Sequence, residues 1–394
     1  MKGQRRREGR PVDAERVGAR LRKLRKLRGL TQQQLAGQTH FSVSLIKKVE
    51  QGSVPPSSAF VAVAAGALNV AVAQLYGTDG WQVLDESSAA RLDDLRSALD
   101  AWDDPRPEGR PPSLANINHR LDEISKRITG TRYADAAVDL PPLLHHLCAM
   151  AEELGRTGEQ ARAALHDAYR FSAAVAGRFR QADLAAIASE RHVQLAPRTG
   201  DPNRVTISAF HRSSRHLQRG DFAGGLRLLE RAQRDIDERS PVAAQVHLRS
   251  AVLAARSGQL DRADEYVSAA RAVQPGSAYR GIDASVVNID IHWCAVPVEA
   301  MNGAEAVRRG AQVHMEDRSR PERIGHHHID QARAWLLHGN RDQTLAELNA
   351  ARTIAPFNTR HHPAVRETVL ALAESDRRRT HSLAGFARWA GIDL

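Results

Sequence analysis

Two cysteines in 394 residues, Cys148 and Cys294, stand too far apart in the chain for a disulfide framework or a zinc finger. The chain also lacks any apolar run of the roughly 18 residues a membrane span needs, and its basic N-terminus lacks the apolar stretch of a signal peptide. A reducing cytoplasm is the simplest compartment for it. No G-x-x-x-x-G-K-[ST] loop, no G-x-G-x-x-G after a strand, no G-x-S-x-G and no H-E-x-x-H occurs. The histidine runs His145-His146, His326-His327-His328 and His361-His362 place neighbours on different sides of a helix, so they are read as packing and surface residues. No metal or cofactor is expected, and nothing argues for an enzyme.

Net charge is absent from most of the chain and concentrated in one part. Residues 1–77 carry 14 Lys+Arg against 4 Asp+Glu, and the remaining residues carry 42 of each. The whole excess of +10 therefore sits at the N-terminal end. A cationic domain beside a neutral one suits attraction to a polyanion. With 42% hydrophobic residues and 26% charged ones, the chain has the composition of a globular protein of two or three domains.

The cationic part contains the most informative stretch, TQQQLAGQTHFSVSLIKKVEQG over 31–52. It reads as two short helices around a tight turn. Leu35, Ala36, Ile46 and Val49 face inward, and Ala36 is small where the helices cross. His40-Phe41-Ser42 makes the turn, with Ser42 placed to cap the second helix. That helix, Val43 to Gln51, presents Val43, Ser44, Lys47 and Lys48 outward. Two cations and two small side chains on one face suit a DNA major groove. Before it, a helix over 14–28 buries Val17, Leu21 and Leu24, keeps Arg20, Arg22, Lys23, Arg25 and Lys26 on its other faces, and ends at Gly29. After it, Pro55-Pro56-Ser57 starts a fourth helix with Phe60, Val63 and Leu68 as core, and a short fifth runs over 71–76. Residues 1–13, MKGQRRREGRPVD, read as a flexible basic arm whose Arg5, Arg6 and Arg7 could reach a minor groove or the phosphates.

This stretch resembles the helix-turn-helix of the phage-repressor-like (Xre) family over residues 17–76. Gln32, Leu35-Ala36, Ile46, Val49-Glu50, Gly52, Pro56-Ser57 and Leu68-Asn69-Val70 carry the resemblance without a gap between 31 and 52. Three positions depart: His40 and Asn69 stand where the family prefers glycine, both tolerant of left-handed backbone, and Phe41 is larger than the usual Val or Ile. The resemblance implies a five-helix lambda-repressor-like DNA-binding domain over 14–77. Gln32 and Ser42 would contact phosphate or brace the reading helix, and Val43, Ser44, Lys47 and Lys48 are the candidates for base edges.

A connector is expected over 78–112. It holds one helix, 87–102, with Leu92, Leu95 and Leu99 on one face, available to either domain or to a second copy of the chain. It ends in DDPRPEGRPP, where Pro105, Pro107, Pro111 and Pro112 forbid regular structure. The main boundary is placed there.

Residues 113–394 read as helix after helix with an internal repeat. Ala251, Gly258, Ala263, Ala270 and Pro275 are spaced 7, 5, 7 and 5, and so are Ala332, Gly339, Thr344, Ala351 and Pro356. Ala173, Arg180, Ala185, His192 and Pro197 keep the spacing with two changed residues, and Ser213, Gly220, Gly225 and Ala232 keep it without the proline. Weaker copies centre on Ala136 and Val307. The spacing resembles the tetratricopeptide repeat: small residues at a helix crossing, a turn glycine and a closing proline. Its anchors at 136, 185, 225, 263, 307 and 344 are 37 to 49 apart, so the copies are degenerate. The fold class expected is all-α, with the DNA-binding domain followed by a tetratricopeptide-like α-α superhelical solenoid. That resemblance implies a groove lined by the first helix of each pair, where Arg170, His211, Gln245, His292 and Arg333 would point inward.

This domain order is similar to that of Gram-positive regulators that join the two modules, a plan common in actinobacteria. It implies a homodimer on a double-stranded DNA operator, with a peptide, small-molecule or protein partner in the groove. An adaptor that uses the repeats for protein contacts and holds DNA only weakly is the alternative.

Overall fold

The structure is a computed structural model that describes residues 16–77, 86–273, 279–315, 319–375 and 381–392. Among them every regular element is a helix. The chain separates into two compact units, Met1–Trp81 with Arg360–Leu394, and Gln82–Thr359.

The first unit begins with α1 (Val17–Leu27), α2 (Gln32–Thr39), α3 (Val43–Glu50), α4 (Ser58–Ala67) and α5 (Val72–Tyr76). Local chemistry sets each boundary. Thr31 and Gln34 form a reciprocal capping box on α2, and Ser42 and Ser57 cap α3 and α4 through their hydroxyls. His40 and Asn69 take the left-handed backbone, at φ 59° and 50°. The core beneath is Val17, Leu21, Leu35, Ile46, Val49 and Phe60, with Leu68 and Leu75. Phe41 fits because its ring packs on Phe60, centroids 4.9 Å apart. Gly18 lets α1 cross the end of α3: a Cβ there would lie 1.9 Å from the Val49 carbonyl oxygen.

The basic face expected of the first helix is only partly a surface. Arg20 and Arg25 are buried. Arg20 donates to the Tyr76 carbonyl oxygen (3.2 Å), and Arg16, just before the helix, donates to that of Gly52 (3.0 Å). These arginines cap the ends of other helices from inside the fold, where their stems pack.

The second unit opens with α6 (Glu86–Asp100) and continues as paired helices. The pairs are α7 (Leu114–Thr129) with α8 (Tyr133–Ala151), α9 (Gly155–Arg178) with α10 (Ala182–Leu195), and α11 (Pro202–Arg219) with α12 (Phe222–Ala232). Then come α13 (Pro241–Arg256) with α14 (Leu260–Ala272), α15 (Val286–Glu299) with α16 (Gly303–Gly310), and α17 (Pro321–His338) with α18 (Arg341–Ile354), followed by α19 (Pro356–His361). Each helix packs on its partner, and the first helices α11, α13, α15 and α17 pack on one another in turn. This is the stacking of a tetratricopeptide-like array.

The repeat spacing has a direct structural cause. Gly220, Gly258 and Gly339 sit in the turns between paired helices with φ of 72°, 80° and 90°. Arg180 takes the same place at φ 58°, as does Thr131 at 61° in the copy centred on Ala136. In the copy expected around Val307 the register is one residue earlier: Met301 holds the turn at φ 60° and Ala306 is the fully buried crossing residue, because a buried crossing position takes the smaller side chain. Ala251, Ala263, Ala332 and Thr344 are fully buried at the crossings. At Gly225 a Cβ would come within 2.8 Å of Leu253 Cδ2. Pro275 lies outside the described residues.

The end of the array returns to its start: α17 touches α7, Arg178 of α9 pairs with Glu322, and Phe357 of α19 meets the Tyr133 ring at a tilt (5.3 Å) and the Phe179 ring edge-on (5.5 Å).

Two expected boundaries differ from the observed division. The helix with Leu92, Leu95 and Leu99 is α6, and those leucines are buried in the core shared with α7, α8 and α9. Arg96 also pairs with Asp183 at 2.8 Å. The proline-rich stretch 103–112 therefore lies inside the second unit, because burial of the leucine stripe outweighs the break in regular structure. At the other end, α20 (Pro363–Ser375) and α21 (His381–Ala390) fall in the first unit instead of extending the repeats. There the Glu367 carboxylate accepts from the Val17 N–H at the start of α1 (3.4 Å).

Candidate nucleic-acid interface and repeat groove

The reading helix α3 is held from two sides. Ile46 and Val49 are buried beneath it, while Val43, Ser44, Lys47 and Lys48 are exposed along its outer face. The Ser42 hydroxyl accepts from the Leu45 N–H (3.1 Å), which fixes the start of the helix. Its end is fixed by charge. Glu50 accepts a bidentate pair from Arg25, at 2.6 and 2.9 Å, and a third bond from Gln32 Nε2 at 2.8 Å. Arg25 also donates to the Leu30 carbonyl oxygen (2.6 Å), so a single guanidinium ties α1, the following turn and α3 together. Burial opposes the Glu50 charge, but the hydrogen bonds from Arg25 and Gln32 outweigh it and hold the carboxyl below its ordinary range.

Of the two sequence-level roles for Gln32 and Ser42, bracing is the one these contacts supply. Arg5, Arg6 and Arg7 lie outside the described residues. The sequence reading missed the clamp itself. Its only signal was an acid at 50 with many arginines upstream, and nothing in the spacing singles out Arg25.

In the second unit, Arg170, His211, Gln245, His292 and Arg333 fall one each on α9, α11, α13, α15 and α17. They do not form an open row. Arg170 donates to the Arg280 carbonyl oxygen (2.8 Å), and Gln245 donates to that of Asp283. Arg333 pairs with Glu299 (3.2 Å) and Asp330 (3.0 Å). His292 Nδ1 bonds the Asn288 carbonyl oxygen (2.8 Å), and the His211 ring meets His192 edge-on at 5.6 Å. Most of the groove positions are thus engaged with their own chain, two of them with the segment between α14 and α15.

Beside them lies a buried histidine stack. His166 and His192 overlap at 3.9 Å, and His192 Nε2 is buried without a hydrogen-bond partner. Burial, reinforced by Arg170, pushes His192 down to about 3, so the ring is neutral in the fold. The unfolded chain takes up a proton below about 6.5 that the folded chain refuses, so stability falls as pH falls through that range. Lowering the pH from 6.5 to 5 should cost about 2 kcal/mol through His192 alone. Denaturant unfolding at several pH values checks this, and His192→Gln should remove that share of the dependence, leaving the part due to His166 and His211, whose rings burial also keeps neutral.

Among the described residues no helix is long and apolar enough to cross a membrane. Comparison with known proteins bears mainly on the first unit. A helix-turn-helix domain family matches residues 16–80. The uncharacterized HTH-type transcriptional regulator YazB of Bacillus subtilis (strain 168) is 39% identical over 64 residues, which are 16% of this chain and 93% of that protein. Among solved structures, PlcR of Bacillus thuringiensis in complex with the peptide PapR7 and DNA aligns over 89% of this chain and 99% of its own, at 14% identity and a TM-score of 0.26. That likeness is too distant to bear on this chain.

Proposed function

Because the chain belongs to the helix-turn-helix family of transcriptional regulators, we propose that it reads a specific DNA operator through α3, works as a cytoplasmic homodimer, and is controlled by a partner held in its repeat unit. The observation that carries the reading is the outer face of α3. Val43, Ser44, Lys47 and Lys48 are exposed on a helix whose two ends are pinned by Ser42 and by the Arg25–Glu50–Gln32 clamp. A rigid helix presenting cations and small side chains is suited to major-groove contact. The cationic excess of residues 1–77 adds the sequence-independent attraction. A dimer would set two copies of α3 about 34–36 Å apart on a roughly palindromic site.

The test is binding to the DNA upstream of its own gene against scrambled DNA at two salt concentrations. A preference of about a thousandfold that survives the higher salt is expected. Weak binding, equal on both DNAs and lost with salt, would favour the adaptor reading. Lys47→Ala should weaken operator binding by about 1–3 kcal/mol if Lys47 reaches a base edge. A smaller loss, equal on all sequences and with a reduced salt slope, would assign Lys47 to phosphate.

A further inference from the structure

The connection between α14 and α15, residues 273–285, is thirteen residues long, against about 2–8 for most helix–helix connections. Of its described residues, Tyr279 to Asp283 are held by α7, α9 and α13, far away in sequence, and by α15, which follows directly. All three Arg280 guanidinium nitrogens are used: Nε on Asp122 (2.6 Å) and Nη2 on Asn118 (3.0 Å), both of α7, and Nη1 on Asp167 of α9 (2.7 Å). The backbone is read separately. Arg170 donates to the Arg280 carbonyl oxygen, and Gln245 and Asn288 both donate to that of Asp283. Gly281 is required between these points, because its φ is 70° and a Cβ would come 2.8 Å from the Arg170 guanidinium.

Side chains from three first helices, α9, α13 and α15, thus grip a short peptide by its carbonyls, and one pocket selects a guanidinium. That combination of backbone affinity and side-chain selection is how grooves recognise extended peptides. The segment can also leave without orphaning a buried charge. Asp167 keeps Arg204 (3.1 Å) and Arg170 (3.4 Å), and Asp122 is half exposed.

We infer that Tyr279–Asp283 is a built-in occupant of the groove, and that the external ligand is an extended peptide whose arginine enters the Asp122–Asn118–Asp167 pocket and displaces it. This rests on the reading that the repeat unit holds the controlling partner.

The test uses the full chain and a fluorescent peptide, Tyr-Arg-Gly-Ile-Asp-Ala-Ser, capped at both ends and followed by anisotropy. Arg280→Ala, which vacates the pocket, should bind it at least tenfold more tightly than the unsubstituted chain. A peptide with alanine in place of its arginine should bind that variant at least tenfold more weakly. Equal binding of the two peptides, or no saturable binding to folded Arg280→Ala, would overturn the inference. Circular dichroism establishes folding. Gly281→Ala, whose side chain is strained by the left-handed backbone and would come 2.8 Å from the Arg170 guanidinium, loosens the segment while leaving the pocket residues in place, and should show tighter binding than the unsubstituted chain if Arg280→Ala does not fold. If neither variant folds, the segment is structural and the inference fails. The titration needs no DNA: a chain that discriminates its operator but takes no peptide overturns this inference alone. Peptide binding without operator discrimination overturns the proposed function alone.

Discussion

Glu50→Ala should destabilise the helix-turn-helix unit by about 3–5 kcal/mol, the range found when one partner of a buried ion pair is removed. The Glu50 side chain is 2% exposed and that of Arg25 8%. Without the carboxylate, a buried guanidinium loses both of its charged hydrogen bonds and keeps only the Leu30 carbonyl. Gln32 loses its acceptor as well. Glu50→Gln retains one acceptor and should cost less. Replacing Arg25 and Glu50 together by apolar residues of similar volume should be milder than either single truncation, because the main loss is the stranded charge. Denaturant unfolding read through the first unit measures all three, and operator binding should fall with it. The clamp also makes this unit acid-sensitive. The Glu50 carboxyl is depressed in the fold, so its contribution is full above the ordinary value of 4.5 and is lost as pH falls through the lower, folded one.

The second large effect is expected at Asp167. Its side chain is 2% exposed and faces Arg170, Arg204 and Arg280. Burial opposes its charge, yet the three arginines hold the carboxyl below its ordinary range. Asp167→Ala would leave three cations without their shared anion, two of them largely buried, and should cost about 3–5 kcal/mol or abolish folding of the repeat unit. Asp167→Asn keeps an oxygen for hydrogen bonding and should be milder. Arg280→Ala should be milder still, since the aspartate retains two partners. Thermal unfolding followed by circular dichroism gives the order. An Arg280→Ala chain as unstable as Asp167→Ala would show that the segment is part of the core.

Several features were legible from residue order because their causes are local. The caps at Thr31, Ser42 and Ser57 act over three residues, and the left-handed turn at His40 over one. The 7-5-7-5 spacing follows from the geometry of two crossing helices and the turn that joins them. At Gly220, Gly258 and Gly339 that turn is occupied by the residue with the least strain there. At Thr131 and Met301 it is occupied by residues that give no such signal, and without a glycine to mark the turn the second of these copies is read one residue late, on Val307 in place of Ala306.

Charge and burial behave differently. Arg25 and Lys26 are neighbours of one class, yet Arg25 is buried against Glu50 and Lys26 is exposed. The helical phase separates them, but only the position of α3 shows which phase meets an acid. Arg170 and Gln245 lie on α9 and α13, but the residues whose carbonyls they bond lie 110 and 38 residues away in the chain. Leu92, Leu95 and Leu99 announced a buried face without saying whose core would bury it.

The chain order of this protein thus carries its helices, its turns, the outer face of α3 and the domain with the cationic excess, because each depends on residues within a turn or two or on composition. The Glu50 clamp, the closure of α17 onto α7 and the bonds from Arg170 and Gln245 to residues 280 and 283 were set by packing. Each joins groups that are distant in sequence, and their meeting depends on where whole helices come to rest.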